Sequence, residues 1–428
     1  MDKKQEVMQW LEDHKMELQQ LLSKLIRIPS VSGNEYDVQM AIKEEAEASG
    51  FQVVARAFDE EQRRPCLLIT MPGAGGGKNL MLDAHSDTVP VQPDEKWEHD
   101  PFSGDFDGTW IHGRGATDDK WGIAVALMTM RALKACGVEL AGNVQLLSSV
   151  GEEVDVNSRR KYGAGAMLKT METKPDFCIV CEESGKTVGT EAPRNLKFTL
   201  KVEGKAVHTC VRRNAVFPQN NGVPGGSAYG VDGLEKAIIV INALYRLERD
   251  LATNYKRGGL VGTGGAADAP RNSVGAITIN PYEIKGGGAN ALMANVEVKY
   301  SAHYPFGYTY EEFLGLLQDT VKGAAMSDLW LREHPPVIEI SANNDGFCTD
   351  ITNPVVDLMR QAHGQVYGKP AIAQAWVAGC DADAMPEVDC VVYGPTGAWA
   401  HAPNERSNLQ DLVNTAKVYA MAAMDFCK

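Results

Sequence analysis

An apolar stretch, Leu80 to Ala84, ends on His85, and Asp87 follows two residues later. Other stretches also finish on side chains able to hold metals or protons. "GRGATDDKWG" carries Asp118 and Asp119, "VGEEVD" carries Glu152 and Glu153, "VCEES" carries Glu182 and Glu183, and "GAWAHAPNE" leaves His401 in a loop. Each has an ordinary structural explanation when taken singly: a hydrogen-bonded core histidine, a helix cap at Asp118, a solvated acidic turn. Together they are hard to explain as structure alone. Carboxylates converging on one crevice repel unless a cation neutralises them. Imidazoles mixed with carboxylates suit Zn²⁺ or Mn²⁺. On a strand, residues i and i+2 share a face. Asp87 is therefore expected to reach the imidazole of His85, fix its tautomer and leave the other nitrogen for metal.

Such side chains need elements to hold them. "EVMQWLEDHKMELQQLLSKLIRI" has helical periodicity up to Pro29. Strand and helix patterns then alternate, and the strands "NLMLDAHSD", "NVQLLSSVGEE" and "DFCIVCEE" are apolar on both faces. That predicts an α/β domain with a mostly parallel sheet covered by helices. Functional residues gather beyond the carboxyl ends of such strands, where the histidines and carboxylates above fall. After about Lys186 the order becomes β-α-β-β-α-β, the ferredoxin-like unit, and from about Asn353 the first pattern resumes. The expected organisation is a catalytic domain of residues 1–187 and 346–428 with an inserted α+β dimerisation or lid domain, 188–345.

The bulk properties set limits. A chain of 428 residues is too long for one ordinary core. A formal net charge of -14 disfavours nucleic acid or an anionic membrane as a partner, but not an anionic small molecule drawn to a metal. The charged start "MDKKQEVMQW" does not read as a secretory signal, and the longest apolar run, Trp121 to Met130, is too short to span a bilayer. Nine scattered cysteines, an odd count, fit a reducing cytoplasm. "CIVC" sits in a strand pattern that points its two cysteines to opposite faces. "PGAGGGKN" fails as a phosphate loop, because Pro72 stands where the first Gly belongs and Asn79 follows the Lys.

The motifs "HSDTVP", "GRGATDDKWG", "GEE" and "AHAPNE" together resemble the metal-dependent amidohydrolase and exopeptidase family of carboxypeptidase G, acetylornithine deacetylase, succinyl-diaminopimelate desuccinylase and aminoacylase. The match covers almost the whole chain. The resemblance implies one or two divalent metals per subunit, with His85 on one, His401 on the other and Asp118 bridging. Glu153 and Glu182 would complete the ligands, with Glu183 the alternative to Glu182. Glu152 would be the general base and Asp87 the orienter of His85. It also implies a cis peptide between Asp118 and Asp119. The inserted domain would form a homodimer or higher homo-oligomer and give His208 of "GKAVHTC" to the partner's site.

The chain also departs from the family. Members acting on amino-acid derivatives carry Asp-x-Arg on a strand of the inserted domain, and the Arg clamps the substrate carboxylate. Here Ser301 and His303 occupy those positions, and the preceding Asn-x-x-Pro is Asn290 to Met293. Without the Arg fork, an α-carboxylate loses its tightest reader. The chain as a whole is similar to family members that replace an aromatic amine by hydroxyl. That resemblance implies a small aromatic substrate, 5-nitroanthranilate giving 5-nitrosalicylate and ammonia, with its carboxylate held by metal or by Arg194, Arg212 or Arg213. The alternatives are an N-acyl amino acid deacylase or small peptidase and, from another class, a non-catalytic metal-binding relative.

Overall fold

The computed structural model describes residues 2–61, 63–211, 226–254, 277–288, 290–376, 378–397 and 399–428. They fall into two compact units: the chain up to Ala192 with Phe347–Lys428, and the described residues from Pro193 to Gly346.

The first unit is built on a nine-stranded sheet. Its strands run, edge to edge, Gln52–Ala57, Pro65–Met71, Val144–Ser149, Leu80–His85, Phe177–Val180, Cys390–Val392, Val188–Ala192 and Phe347–Cys348, with Ala373–Ala375 also paired to Val188–Ala192. Leu80–His85 lies parallel between Val144–Ser149 and Phe177–Val180, and Cys390–Val392 continues parallel beside Phe177–Val180. Toward the margins the pairings turn antiparallel. The expected mostly parallel sheet is thus a mixed one. Gln52–Ala57 and Pro65–Met71 are joined by a short turn, and a turn that short can only return the chain antiparallel, since parallel neighbours need a long crossover.

Both faces of the sheet are covered, and its central strands are buried throughout. One face carries the helices Lys120–Ala135 and Leu409–Phe426, packing Ile123, Leu127, Leu412 and Ala416 against Leu80, Leu82 and Leu146. On the other face Met81, Leu147, Cys178 and Val180 meet Met167 and Leu168 of the helix Ala164–Thr170. Each fully buried aliphatic side chain contributes about 1.5–3 kcal/mol. Leu80–His85 is buried at every position, so its last residue is held rigidly. The N-terminal segment read as helical forms two helices, Lys3–Asp13 and Lys15–Ile26. They break at His14, whose ring stacks on Trp10 at 3.8 Å.

Val188–Ala192, read from sequence as the start of the insertion, is a strand of this large sheet, and the second unit begins at Pro193. Its elements run strand Arg194–Glu203, helix Gly233–Thr253, strands Thr278–Gly288 and Ala291–Tyr304, helix Tyr310–Ala325, short helix Leu329–Glu333 and strand Val337–Asn344. The four strands make an antiparallel sheet ordered Val337–Asn344, Arg194–Glu203, Ala291–Tyr304, Thr278–Gly288. Alternate residues Leu196, Phe198, Leu200 and Val202 face Ala237, Val240, Leu244, Phe313 and Leu317 of the two long helices. Thr309 and Glu312 close a reciprocal capping box at the start of the second. Among the described residues no helix is long and apolar enough to cross a membrane.

Candidate metal centre

Side chains from distant loops meet at the carboxyl ends of the central strands. His85 closes its strand with its imidazole buried, and its Nε2 lies 2.8 Å from Oδ1 of Asp118. His401 approaches from a C-terminal loop, with its Nε2 2.9 Å from Oδ2 of Asp118 and 2.9 Å from Glu153. The one carboxylate of Asp118 therefore faces both histidines. The candidate ligand atoms of His85, Asp118 and Glu182 all lie within 4.8 Å of one another, and so do those of Asp118, Glu153 and His401. This His/Asp/Glu cluster can hold one or two divalent metal ions, with Asp118 common to both groups. Glu182, rather than Glu183, is the glutamate in it. The peptide between Asp118 and Asp119 is cis, as the resemblance implied.

The donor set fits a cation electrostatically. Burial works against an imidazolium at His85, yet hydrogen bonding to Asp118 and Asp87 outweighs it and holds the pKa well above the ordinary value. Hydrogen bonds to Asp118 and Glu153 lift His401 to about 10. Burial drives Glu182 well above the carboxylate range, reinforced by the charge of Asp118. It also raises Glu153, and it raises Glu152 to about 8 against the opposing Arg159. Groups this crowded with negative charge recruit positive charge, and a divalent ion supplies it.

Asp87 lies against His85, as expected, and engages it through both backbone and side chain. Its carboxylate stands 3.6 Å from Nδ1 of His85, while its backbone carbonyl accepts from Nδ1 at 3.0 Å. The tautomer is fixed all the same, because a carbonyl serves as well as a carboxylate. The carboxylate has further partners. It accepts the Ser32 hydroxyl at 2.6 Å and the backbone N–H groups of Glu152 and Glu153 at 3.0 and 3.2 Å. Asp87 thus ties the acidic loop to the strand end carrying His85.

Three sets of contacts around the cluster have no signal in the sequence. Glu405, wholly buried, accepts the N–H groups of Gly115, Thr117 and Asp118 at 2.9, 2.8 and 3.1 Å and pairs with Arg114 at 2.7 Å. Asp119, also fully buried, accepts the N–H of His85 at 3.3 Å. Arg159 forms an ion pair with the Glu152 carboxylate and donates from Nε to the Glu152 carbonyl at 3.0 Å. The Glu that closes "AHAPNE" was legible as part of a motif, but its partners were not. Nothing in the local sequence marks Arg159.

The remaining sequence-derived candidates lie in the second unit. His208 is exposed, its Nδ1 accepting the N–H of Cys210 at 3.2 Å. Asn290 is beside it, and its carbonyl accepts the N–H of Thr209 at 2.9 Å. His303 is tied to Asn195 at 3.0 Å and Thr278 at 3.2 Å. Arg194 stacks on Phe306 and donates to the carbonyls of Tyr308 and Asp345, so its guanidinium is engaged within its own unit. Arg212 and Arg213 lie outside the described residues.

Fold and cluster together define a family of metal-dependent hydrolases. The model of peptidase family M20/M25/M40 matches residues 81–425, and the chain belongs to that family. It is 25% identical over 439 residues to the N-formyl-4-amino-5-aminomethyl-2-methylpyrimidine deformylase of Bacillus subtilis, covering 97% of this chain and 96% of that protein. The fold is also that of a Staphylococcus aureus tripeptidase, with a TM-score of 0.72, 19% identity, and coverage of 96% of this chain and 98% of that one. A dinuclear metal-binding M20 peptidase of Bacillus subtilis matches with a TM-score of 0.64 at 14% identity, covering 97% and 99%. The chain is accordingly a metal-dependent hydrolase acting on C–N bonds.

Proposed function

We propose that this enzyme acts on a small molecule built around a planar aromatic ring, with 5-nitroanthranilate, giving 5-nitrosalicylate and ammonia, as the specific candidate. The observation that carries the reading is His303. It stands where amino-acid-specific relatives are expected to place a clamp arginine, and burial lowers its pKa, with Lys197 acting in the same direction. Asn195 and Thr278 are bonded to its two nitrogens and fix the imidazole in place. Such a group gives an α-carboxylate no bidentate, charged partner.

The roles follow from this reading. His85, Asp118 and Glu182 would hold one Zn²⁺ or Mn²⁺, and Asp118, Glu153 and His401 would hold a second. When bound, such ions supply Lewis acidity and lower the proton affinity of water. Glu152 accepts the proton of the attacking water and returns it to the departing nitrogen. His208, from the partner in a homodimer, stabilises the negative charge that develops on the electrophile. Asn290, its neighbour, lines the same site.

A second reading, cleavage of an N-acyl group from a ring-bearing amine, is favoured by the likeness to the pyrimidine deformylase. The test loads the enzyme with Mn²⁺ or Zn²⁺. It then measures ammonia release from 5-nitroanthranilate beside amine release from N-formyl aminomethylpyrimidine, N-acyl amino acids and dipeptides. Turnover of a ring substrate with poor dipeptide cleavage is the expected result. Efficient cleavage of dipeptides or N-acyl amino acids, with both ring compounds untouched, overturns it.

A further inference from the structure

Glu152 has two fates available to it. Its Oε2 lies 4.0 Å from Nε2 of His85, at the border of the ligand cluster. A carboxylate so close to a divalent ion is drawn into its coordination shell and then cannot act as a free base. Glu153, the next residue, is already in the cluster.

The surroundings of Glu152 oppose that collapse. The other carboxylate oxygen, Oε1, is paired with Nη2 of Arg159. The same guanidinium donates from Nε to the Glu152 carbonyl at 3.0 Å, gripping backbone and side chain together. Arg159 cannot follow the carboxylate, because it is itself held. Its Nη1 donates to the Cys380 carbonyl at 3.3 Å and pairs with Asp383 at 3.4 Å. Gly379 lets the backbone come close, since a Cβ there would meet Nη1 at 3.0 Å. Arg159 is 8% exposed, and the Asp383 side chain is wholly buried. The short helix Val156–Lys161 that carries Arg159 is fixed at its start by Asp155, which accepts the N–H of Ser158 at 2.9 Å.

We propose that Arg159 is a positioning residue that keeps Glu152 off the metals and thereby makes it a base instead of a ligand. Its anchor on the turn at Cys380–Asp383 sets how far the base stands from the metals. The inference rests on the assignment of Glu152 as base, and it predicts two opposite changes where a merely structural arginine predicts one. Without Arg159 the carboxylate swings inward, so metal is held more tightly while turnover falls.

The test compares wild type, Arg159→Met, Arg159→Lys, Asp383→Asn, Glu152→Gln and the double variant Arg159→Met/Glu152→Gln. Zn²⁺ or Mn²⁺ affinity is measured by chelator competition without substrate, so the result stands whatever the substrate panel shows. Arg159→Met is expected to bind metal at least threefold more tightly, and the gain should vanish in the double variant. Where a substrate is turned over, kcat should drop by at least tenfold with KM within threefold. Arg159→Lys, which keeps a cation, should show wild-type metal affinity and a partial recovery of kcat. If Arg159→Met does not fold, Asp383→Asn loosens the same anchor and should move metal affinity upward to a smaller degree. Metal affinity that is unchanged or weaker in Arg159→Met, or an increase that persists without the Glu152 carboxylate, overturns the proposal.

Discussion

The carboxylate of Glu405 accepts the backbone N–H of Asp118 at 3.1 Å, across 287 positions of sequence. The same oxygen takes the N–H groups of Gly115 and Thr117, and the other takes Arg114. One buried side chain thus shapes the loop that presents the carboxylate facing both His85 and His401. Groups behind a metal ligand typically change metal affinity 10–100-fold when lost. Glu405→Gln should therefore weaken Mn²⁺ or Zn²⁺ binding by at least tenfold. It should also destabilise the fold by about 1–3 kcal/mol, because buried Arg114 loses its nearer carboxylate and keeps only Glu95 at 3.5 Å. Chelator competition and denaturant unfolding measure the two effects. Metal binding within twofold of wild type would show that the loop holds its shape without this residue.

Glu152→Gln tests the base. The amide keeps the shape but cannot accept the proton, and loss of one general base typically costs a hundredfold or more. Turnover should fall by at least that factor while metal content, read by elemental analysis, stays near wild type. Metal loss as large as that of Glu153→Gln would make Glu152 a ligand.

His208 is expected to work across a dimer. Its neighbours within the second unit are Cys210 and Asn290. An inactive His208→Ala chain mixed with an inactive Glu152→Gln chain should regain part of the wild-type rate once subunits exchange. Exchange followed by mass spectrometry, with no recovery of activity, would place the action of His208 within its own subunit or nowhere.

A pH effect on stability should trace to Glu12. Its carboxylate accepts from Lys417 at 2.7 Å and from Gln410 at 3.0 Å, tying the first helix to the last. The Lys417 bond lowers the pKa from 4.5 to about 2. A carboxylate lowered on folding adds stability that is full above its unfolded value and is lost as pH falls toward the folded one. Wild type should exceed Glu12→Gln by less than about 1 kcal/mol at pH 7, since the pair is partly solvated. That margin should shrink below about pH 4.5. A difference that stays constant from pH 6 to 3 in urea titrations would show that the ion pair is not its source.

The sequence by itself determined much of this protein. Residue types at strand ends name the members of the cluster, because His85, Asp118, Glu153, Glu182 and His401 all fall where such strands end, and the fold brings them together. Apolar strands without alternation demand helices on both faces, and both faces are covered. The return of the chain to the first unit after the insertion was also legible, since hydrophobic periodicity is a local property.

What the tertiary structure alone decided is which distant groups meet. Glu182 and Glu183 are adjacent and chemically alike, and only the turn of the backbone selects Glu182 for the cluster. The carboxylate of Asp87 faces His85 two residues away, and only the fold adds the loop at Glu152 and Glu153 as its further partner. Antiparallel margins and the placement of Val188–Ala192 in the large sheet depend on neighbours far along the chain. Arg159 and Glu405 act through partners that local pattern does not specify. Spacing reveals which face of an element a residue shares. The meeting of two elements is settled by how their buried faces pack, and that is a property of the whole fold.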